Sequence, residues 1–286
     1  MGNLKLVLVE GIPGAGKTTA ARFVRDWLEE RGHETAFFQE GDWSHPADFE
    51  SAACLDEAQY ADLRSRFPEQ SALLEEKGWI ENGEWFVFYR KLQQEAGENV
   101  PAELIESLAK YEIYDLPAEK HTRLLQQRWQ SFADRAVKEN RAYVFECCFL
   151  QNPVTTLLAR HDLSNKEVFG HIQKLSNTVE PLFPKLIYLV QNDVRASLEK
   201  IRAERPKEWA TFVTWYLTEQ AYGKRQGLSG FEGVVRFYEM RQRVELEFLC
   251  QLRTTWVAVP DDLPWVERYQ RIEKFLVDGL SRDNNV

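Results

Sequence analysis

Short apolar runs alternate along this chain with longer stretches in which apolar residues recur every three or four positions. Runs of about four to eight apolar residues are typical of buried strands, and the longer spacing is typical of helices with one apolar face. Strands that alternate with helices indicate a parallel sheet joined by helical crossovers. We therefore predict an α/β fold with a five-stranded parallel sheet and helices on both faces. The predicted strands are residues 4–9, 35–38, 142–147, 186–190 and 255–259.

Two connections between these strands are too long to be simple crossovers. Roughly a hundred residues separate the second strand from the third, whereas a crossover needs only about 10 to 12. Within that connection Asn82-Gly83, a strong turn signal, predicts a β-hairpin over residues 79–89. We interpret residues 45–140 as a mostly helical inserted cap. Its predicted helices are residues 52–66, 101–111 and 119–139.

The second long connection, residues 196–252, is predicted to be a lid insertion. It begins with a helix rich in Arg and Lys, passes through the glycine-flanked segment 222–230, and ends in a long helix over residues 235–252. Residues 283–286 are predicted to fray.

The segment after the first predicted strand matches a phosphate-binding motif. Residues 11–18 fit the pattern G-x-x-x-x-G-K-[ST], and a helix is predicted behind them over residues 19–30. In that setting unpaired main-chain N–H groups and the helix dipole favour an anion, and the glycines let the loop wrap around it. Lys17 would reach the β- and γ-phosphates, and the Thr18 hydroxyl would bind Mg²⁺. The predicted cofactors are ATP and Mg²⁺, and the predicted nucleotide-binding residues are Gly11, Pro13, Gly14, Ala15, Gly16, Lys17, Thr18 and Thr19.

Composition narrows the class of protein. The chain has 286 residues and a formal net charge of -9, which argues against a broad basic face that would hold DNA or RNA. Cys54, Cys147, Cys148 and Cys250 show no C-x-x-C spacing, so we expect buried free thiols in a reducing cytoplasm. No apolar run reaches the ~18 residues of a membrane span, so we expect a cytoplasmic protein without a membrane partner. The sequence leaves open whether the chain is a monomer or a homodimer.

Residues just after the predicted strands are candidates for chemistry, because ligands of parallel sheets bind beyond the carboxyl ends of the strands. Glu40 follows the second strand and is a candidate to accept the proton of a phosphate acceptor, with a solvated acid as the alternative. Asp42 and His45 are rivals for that role. Glu146 ends an apolar strand, where an unpartnered carboxylate is costly. We predict that it lies near Mg²⁺ and acts through water, with a structural ion pair as the alternative.

Cations in the predicted lid complete the catalytic candidates. Arg202 and Arg205 are candidates to contact the γ-phosphate, and ion pairs with neighbouring glutamates on one helix are the alternative. Lys224 and Arg225 belong either to a moving loop that closes over substrate or to a helix end.

Four residues are candidate substrate contacts. Trp43 could stack on a flat ring, and the side chains after the third strand could hydrogen-bond a substrate, with a turn before Pro153 as the alternative. The candidate contacts are Asp42, Trp43, Gln151 and Asn152.

Three stretches resemble small-molecule kinases. Residues 9–19 resemble the opening strand, Glu-Gly and phosphate loop of deoxynucleoside kinases and thymidylate kinases. Residues 186–205 resemble the fourth strand of these families and the helix that runs into their Arg-bearing lid, and residues 39–43 stand where deoxynucleoside kinases place a Glu-Pro-x-x-x-Trp-like segment. The resemblance implies a fold of the P-loop kinase type, with residues 1–44 and 141–286 as its nucleotide-binding core.

The chain departs from the kinase pattern after the third strand. Where deoxynucleoside kinases carry a Glu-Arg-Ser segment, Glu146 is followed by Cys147, Cys148 and Phe149, so the substrate-phosphate Arg of that family has no counterpart. The chain is also similar to a group of bacterial P-loop proteins, of unassigned substrate, with Glu-Gly-x-x-x-His-Pro, Glu-Cys-Cys and Asn-Pro-Val stretches.

Two functions remain open on the sequence. The first is an ATP- and Mg²⁺-dependent phosphotransferase that moves the γ-phosphate to a small-molecule acceptor, most plausibly nucleoside- or nucleotide-like. The second is a nucleotide-gated binding or regulatory P-loop NTPase in which nucleotide occupancy moves the cap and no small molecule is phosphorylated.

Overall fold

The computed structural model describes residues 4–280, so the predicted fraying of residues 283–286 lies outside it. Its strands are β1 Leu6–Gly11, β2 Thr35–Phe38, β3 Ala52–Leu55, β4 Trp79–Glu81, β5 Glu84–Phe88, β6 Ala142–Glu146, β7 Lys185–Val190 and β8 Thr255–Pro260. Its α-helices are α1 Lys17–Glu29, α2 Glu57–Arg66, α3 Ser71–Lys77, α4 Tyr89–Ala96, α5 Ala102–Ala109, α6 Ala118–Ala136, α7 Gln151–Thr155, α8 Asn165–Val179, α9 Val194–Glu204, α10 Lys207–Thr218, α11 Ala221–Gln226, α12 Gly230–Leu249 and α13 Trp265–Leu280.

Five of the strands form one parallel sheet in the order β2-β6-β1-β7-β8. The register pairs Val9 with Glu146 on one side of β1 and with Ile187 on the other. The predicted α/β class and five-stranded parallel sheet are confirmed, since each predicted apolar run forms a strand within two residues of its expected ends. Strand β1 is central, with β6 on one side and β7 on the other. Parallel sheets bind ligands beyond the carboxyl ends of their strands where the strand order reverses, which here is at the end of β1.

Contacts divide the chain into two compact units. Unit 1 comprises Met1–Glu40 and Trp129–Val286, and unit 2 comprises Gly41–Arg128. Unit 1 contains the parallel sheet. The chain leaves unit 1 four residues before the predicted start of the cap and returns to it within α6.

Helices cover the sheet of unit 1. Every residue of β1 is buried, as expected for a central strand with helices against the sheet. The buried positions of α1 fall on one face and pack against β1 and β6, and α13 also packs against α1. The apolar core formed in this way includes Val7, Val9, Ala20, Ala21, Val24, Leu28, Val144, Ile187, Leu189, Ile272 and Leu276.

Unit 2 contains an antiparallel sheet in the order β3-β5-β4. The predicted hairpin at Asn82-Gly83 is confirmed: β4 and β5 pair across it, and φ is 52° at Asn82 and 80° at Gly83. Positive φ at both central residues is what a tight hairpin turn of type I′ requires. The core of this unit includes Leu55, Tyr60, Leu63, Leu74, Val87, Leu92, Leu104 and Leu108.

The predicted helix over residues 52–66 is wrong in its first four residues. Ala52–Leu55 forms β3, which pairs antiparallel with β5, and α2 begins only at Glu57. Asp56 sets that boundary, because its carboxylate accepts the Gln59 N–H while the Gln59 side chain accepts the Asp56 N–H. A capping box of this kind ends the strand and starts the helix.

The second insertion contains four helices where two were predicted. Helix α9 begins at Val194, and α12 begins at Gly230, five residues earlier than expected. The two missed helices, α10 and α11, lie between them. Pro206 occupies the position before the first residue of α10, and Gly227, with φ of 62°, follows the last residue of α11. Glycine takes such a left-handed conformation without strain.

The cysteines are free, as expected, but they do not share one environment. Cys54, Cys147 and Cys148 are buried, whereas Cys250 is exposed at the end of α12, so the expectation of a buried thiol is wrong there. Among the helices of residues 4–280, none has the length and apolar character needed to cross a bilayer.

Candidate functional site

The glycine loop, residues 11–16, connects β1 to α1 and folds into a concave turn. Its three glycines have φ values of 148°, 83° and 88°, and the Ala15 N–H donates to the Ile12 carbonyl at 3.3 Å. Helix α1 begins without a side-chain cap and without an acidic residue in its first turn. The first turn itself carries no carboxylate, although Glu146 from β6 reaches the Thr18 hydroxyl. The unpaired N–H groups and the dipole at the start of a helix favour an anion.

Packing explains why the loop requires glycine at two positions. A Cβ at Gly11 would lie 2.7 Å from the Leu189 carbonyl oxygen, and a Cβ at Gly16 would lie 2.7 Å from the Trp265 ring. Both distances are below van der Waals contact, and both positions also have positive φ. The loop backbone can approach β7 and α13 this closely because Gly11 and Gly16 have no side chain.

Lys17 is buried at the start of α1. Its side chain is 5% exposed, and its ammonium group donates to the Ile12 carbonyl at 2.9 Å. An ammonium group has three donors, so this bond engages one of them. The ammonium group therefore lies against a main-chain carbonyl of the glycine loop.

Glu146 meets Thr18 at the carboxyl end of β6. The Thr18 hydroxyl donates to Glu146 Oε1 at 2.8 Å, whereas Glu146 Oε2 is buried and has no hydrogen-bond partner within residues 4–280. Burial raises the pKa of this carboxyl group, opposed by the Thr18 hydroxyl and by the charge of Lys17. The predicted pair of Thr18 and Glu146 is therefore brought together. An unpaired buried carboxylate oxygen beside a hydroxyl fits the oxygen ligands that Mg²⁺ prefers.

Glu40 lies close to this pair although it comes from the end of β2. Gln151 Nε2 donates to Glu40 Oε1 at 2.7 Å, and the Cys147 thiol donates to Glu40 Oε2 at 3.4 Å. One ligand atom each from Glu40, Glu146 and Cys147 lies within 4.8 Å of the others. The structure thus brings two candidates, Glu40 after β2 and Gln151 at the start of α7, into direct contact. The Asn152 N–H donates to the Cys147 carbonyl at 3.0 Å, which fixes the backbone at the start of α7.

Glu10 is a site residue that the sequence analysis missed. It lies one residue before the glycine loop, is fully buried, and accepts the Phe149 N–H at 2.8 Å and the Gln151 N–H at 2.9 Å. Burial raises its pKa to about 7. The available signal was an acidic residue at the end of an otherwise apolar strand, the same signal that singled out Glu146.

Arg241 is a second residue that the sequence analysis missed. It is 1% exposed and donates to the Gly11 carbonyl at 3.0 Å and to Thr155 Oγ1 at 2.7 Å. It also pairs with Glu245 at 3.2 Å, and Glu245 accepts the Tyr188 hydroxyl at 2.5 Å. This network ties the first residue of the glycine loop to α12. In sequence Arg241 and Glu245 have the spacing of a surface ion pair, so only tertiary burial distinguishes them.

The lid arginines are exposed. The Arg202 guanidinium lies 5.1 Å from the centre of the Phe231 ring, and Arg205 follows the last residue of α9 rather than lying on the helix. The ion pair of this region joins two helices, because Arg195 on α9 pairs with Glu232 on α12 at 2.6 Å. Helix α9 itself approaches the glycine loop: a Cβ at Gly14 would lie 3.2 Å from the Ser197 carbonyl oxygen.

Lys224 and Arg225 lie in the last turn of α11, which agrees with the interpretation as a helix end. The Arg225 guanidinium also pairs with Asp162, with one N–O distance of 2.6 Å. The pair joins α11 to the turn before α8.

The remaining candidates belong to unit 2. Asp42 accepts the Ser44 N–H at 2.8 Å, and Trp43 is half-buried. His45 is buried and its Nδ1 accepts the Ala47 N–H at 3.1 Å. Burial lowers the pKa of His45 to about 3, helped by the charge of Arg128. An imidazole with this pKa is a weak base, so His45 is a poor rival to Glu40.

Unit 1 therefore gathers a buried ammonium group, a hydroxyl and two carboxylates beyond the ends of three neighbouring strands. Lys17 and Thr18 follow β1, Glu40 follows β2, and Glu146 ends β6. Such a set can bind an anionic group through the loop and a cation through the oxygens. Neither a scan against protein-family models nor a search of curated proteins finds a match to this chain.

Proposed function

We propose that this protein is an ATP- and Mg²⁺-dependent kinase of the P-loop type, which transfers the γ-phosphate to a small acceptor in the cytoplasm. The observation that carries the proposal is the unpaired, buried Oε2 of Glu146, beside Thr18 and directly behind a glycine loop that holds a buried lysine; no partner for it lies within residues 4–280. A buried carboxylate oxygen without a partner is costly in a protein that only has to fold. Beside a bound nucleotide this oxygen would serve as a metal ligand or would orient a metal-bound water.

The glycine loop and Lys17 would hold the triphosphate. The N–H groups of residues 14–19 point at the phosphates in such loops, and the Lys17 ammonium turns from the Ile12 carbonyl towards the β- and γ-phosphates. Lys17 would then stabilise the negative charge that develops on the leaving ADP.

Thr18 and Glu146 would hold Mg²⁺. When bound, the ion would supply positive charge beside the phosphates. The Thr18 hydroxyl would offer a lone pair to the ion, while Glu146 accepts from Thr18 and would offer Oε2 either directly or through water.

Glu40 would act on the acceptor. Its carboxylate takes the proton of the acceptor hydroxyl. The acceptor oxygen then forms a bond to the γ-phosphorus, and the bond between the γ-phosphorus and the β-γ bridging oxygen breaks. The products are the phosphorylated acceptor, ADP and a proton on Glu40 that passes to solvent. At least one of Arg202 and Arg205 would add positive charge near the γ-phosphate once the lid, residues 196–252, closes.

The acceptor is proposed to be nucleoside- or nucleotide-like. This rests on the resemblance of residues 9–19 and 186–205 to deoxynucleoside and thymidylate kinases. Asn152 would contribute from the start of α7, and Asp42 and Trp43 stay candidate contacts from the sequence alone. Gln151 is already bonded to Glu40, so its side chain is better suited to hold Glu40 than to contact the acceptor.

A transfer assay tests the proposal. Wild-type protein is incubated with Mg²⁺ and γ-labelled ATP, with and without a panel of nucleosides, nucleoside monophosphates and other hydroxyl metabolites. We expect slow basal hydrolysis and label transfer to one class of acceptor, with transfer abolished in Lys17→Ala and reduced at least a hundredfold, on the order of the loss of a general base, in Glu40→Gln.

The result against the kinase would be ATP binding without label transfer to any acceptor in the panel. Nucleotide-dependent capture of a macromolecular partner under the same conditions would favour a regulatory NTPase instead.

A further inference from the structure

Cys147 has a backbone conformation that is unusual for its residue type. Its φ is 69°, in the left-handed region that cysteine seldom occupies. Two main-chain hydrogen bonds hold it there: Cys147 N–H donates to the Val9 carbonyl at 3.2 Å, and Asn152 N–H donates to the Cys147 carbonyl at 3.0 Å. Such strain persists where the surroundings fix it, and it is concentrated at functional sites.

The strained residue directs its thiol at Glu40. Cys147 is fully buried, and its Sγ lies 3.4 Å from Glu40 Oε2, within the usual range for a hydrogen bond that involves sulfur. A thiol that is buried beside the carboxylates of Glu40 and Glu146 is a weak S–H donor and not a reactive nucleophile. It therefore donates to the carboxylate without adding charge.

Gln151 contacts the other oxygen of the same carboxylate. Its Nε2 donates to Glu40 Oε1 at 2.7 Å, and its side chain is almost fully buried. The backbone that carries Gln151 is fixed in turn by Glu10, which accepts the N–H groups of Phe149 and Gln151. Residues 147–151 thus form a segment that is anchored to β1 and bonded to both oxygens of Glu40.

Glu40 needs such support because it is exposed at the end of β2. An exposed glutamate samples many rotamers, and fixing it costs side-chain entropy. Two donors on different oxygens select one arrangement. A carboxylate has about four lone-pair sites, so roughly two remain for a proton or a ligand.

We propose that Cys147 and Gln151 are positioning residues that hold the Glu40 carboxylate in one orientation at the mouth of the site. The hydrogen bonds are independent of any activity, whereas their effect on turnover rests on the proposed role of Glu40 as the base. Pre-organised groups of this kind raise the rate of a step without contacting the reacting atoms.

Infrared spectroscopy of the full chain tests the hydrogen bond itself. The S–H stretching band of a thiol moves to lower frequency when the thiol donates to a carboxylate. We expect one low-frequency band that disappears in Cys147→Ser and moves to higher frequency in Glu40→Ala. Cys250→Ser is the matched control and should leave that band in place. A Cys147 band that is unchanged in Glu40→Ala would overturn the proposal, whether or not the protein is a kinase.

Turnover tests the positioning role. In the label-transfer assay we expect Gln151→Ala and Cys147→Gly each to lower kcat about tenfold, while MgATP affinity stays within about a factor of two. Glycine suits the positive φ at position 147, so Cys147→Gly removes the donor without imposing backbone strain.

Cys147→Ser separates positioning from packing. Serine keeps a donor at the same place, so we expect it to recover most of the kcat lost in Cys147→Gly. Equal losses in the serine and glycine variants, or full kcat in both Cys147→Gly and Gln151→Ala, would overturn the positioning role and leave the kinase assignment intact.

Discussion

Glu10 carries a carboxyl group into the interior of unit 1, and the surrounding structure only partly compensates for its burial. Main-chain N–H groups of residues 149–151 favour its charged form, yet burial, helped by the charge of Glu245, outweighs them and raises its pKa to about 7. Glu146, at the end of the neighbouring strand β6, is also a buried carboxyl group whose pKa is raised by burial. Both residues lie at the carboxyl ends of strands, beside the proposed nucleotide site. Their burial lowers the stability of the fold at the place where binding requires charged and hydrogen-bonding groups.

The titration of Glu10 should make stability depend on pH. Burial raises its pKa from the ordinary value of 4.5 to about 7 in the folded protein, so the folded state binds the proton more tightly than the unfolded chain does. Its stabilising contribution is therefore complete below about pH 4.5 and is lost as the pH rises to about 7. Relative to Glu10→Gln, we expect the free energy of unfolding of the wild type to fall by about 3 kcal/mol across that window.

Urea unfolding at a series of pH values measures this difference. Carboxyl groups that do not interact with Glu10 are common to both proteins, so their effects cancel in the comparison. Glu245, whose charge helps to raise the pKa of Glu10, is the carboxyl group whose own titration changes with the substitution. Parallel curves for the two proteins between about pH 4.5 and pH 7 would show that Glu10 does not have the raised pKa.

Gly16→Ala should weaken nucleotide binding for two reasons, the strain of a positive φ and the contact of the new Cβ with Trp265. The new Cβ has to move the Trp265 ring, from which it would be 2.7 Å away, in addition to adopting φ of 88°. Gly32→Ala is the matched control, since Gly32 has φ of 79° and no neighbour within 4 Å of a new Cβ. We expect Gly32→Ala to cost about 1 kcal/mol of stability and to leave MgATP affinity unchanged, while Gly16→Ala loses affinity at least tenfold in a calorimetric titration. Equal affinities would show that the contact of the loop with α13 is not required.

At the scale of elements, the sequence predicts the parallel sheet well and the insertions less well. The five strands are apolar on both faces because helices cover the sheet, so each is visible as a continuous run. Strand β3 was missed because Ala52–Leu55 pairs with segments distant in sequence, chiefly β5 about thirty residues away. Of the candidate site, the loop residues could be predicted from a local motif. The contacts of Glu40 with Cys147 and Gln151 could not, because they join segments that are separated by more than a hundred residues.

The boundary between β3 and α2 gives a prediction for a single element. Asp56→Ala removes the acceptor for the Gln59 N–H and should destabilise unit 2 by about 1 kcal/mol. Ser65→Ala, at an exposed position of the same helix, is the control and should change stability by less than about 0.5 kcal/mol. Hydrogen exchange of the amides in the first turn of α2 reports the effect locally. Unchanged exchange in Asp56→Ala would show that the capping box does not set the start of the helix.

At the scale of the whole molecule, the proposed nucleotide and metal ligands come from unit 1 alone. Lys17, Thr18, Glu40 and Glu146 all fall in it, and its core is distinct from that of unit 2. The net charge of -9 is compatible with nucleotide binding, because main-chain N–H groups and one buried lysine supply the local positive potential that the surface as a whole lacks. The function of the cap, and of the lid at residues 196–252, remains a prediction from the sequence.

Isothermal titration of MgATP into the full chain tests the central claim most directly. We predict one binding site per chain, an accompanying rise in melting temperature, and at least a tenfold loss of affinity in Lys17→Ala with its fold retained by circular dichroism. The absence of heat and of any thermal shift with magnesium and each of the common nucleoside triphosphates would contradict the account.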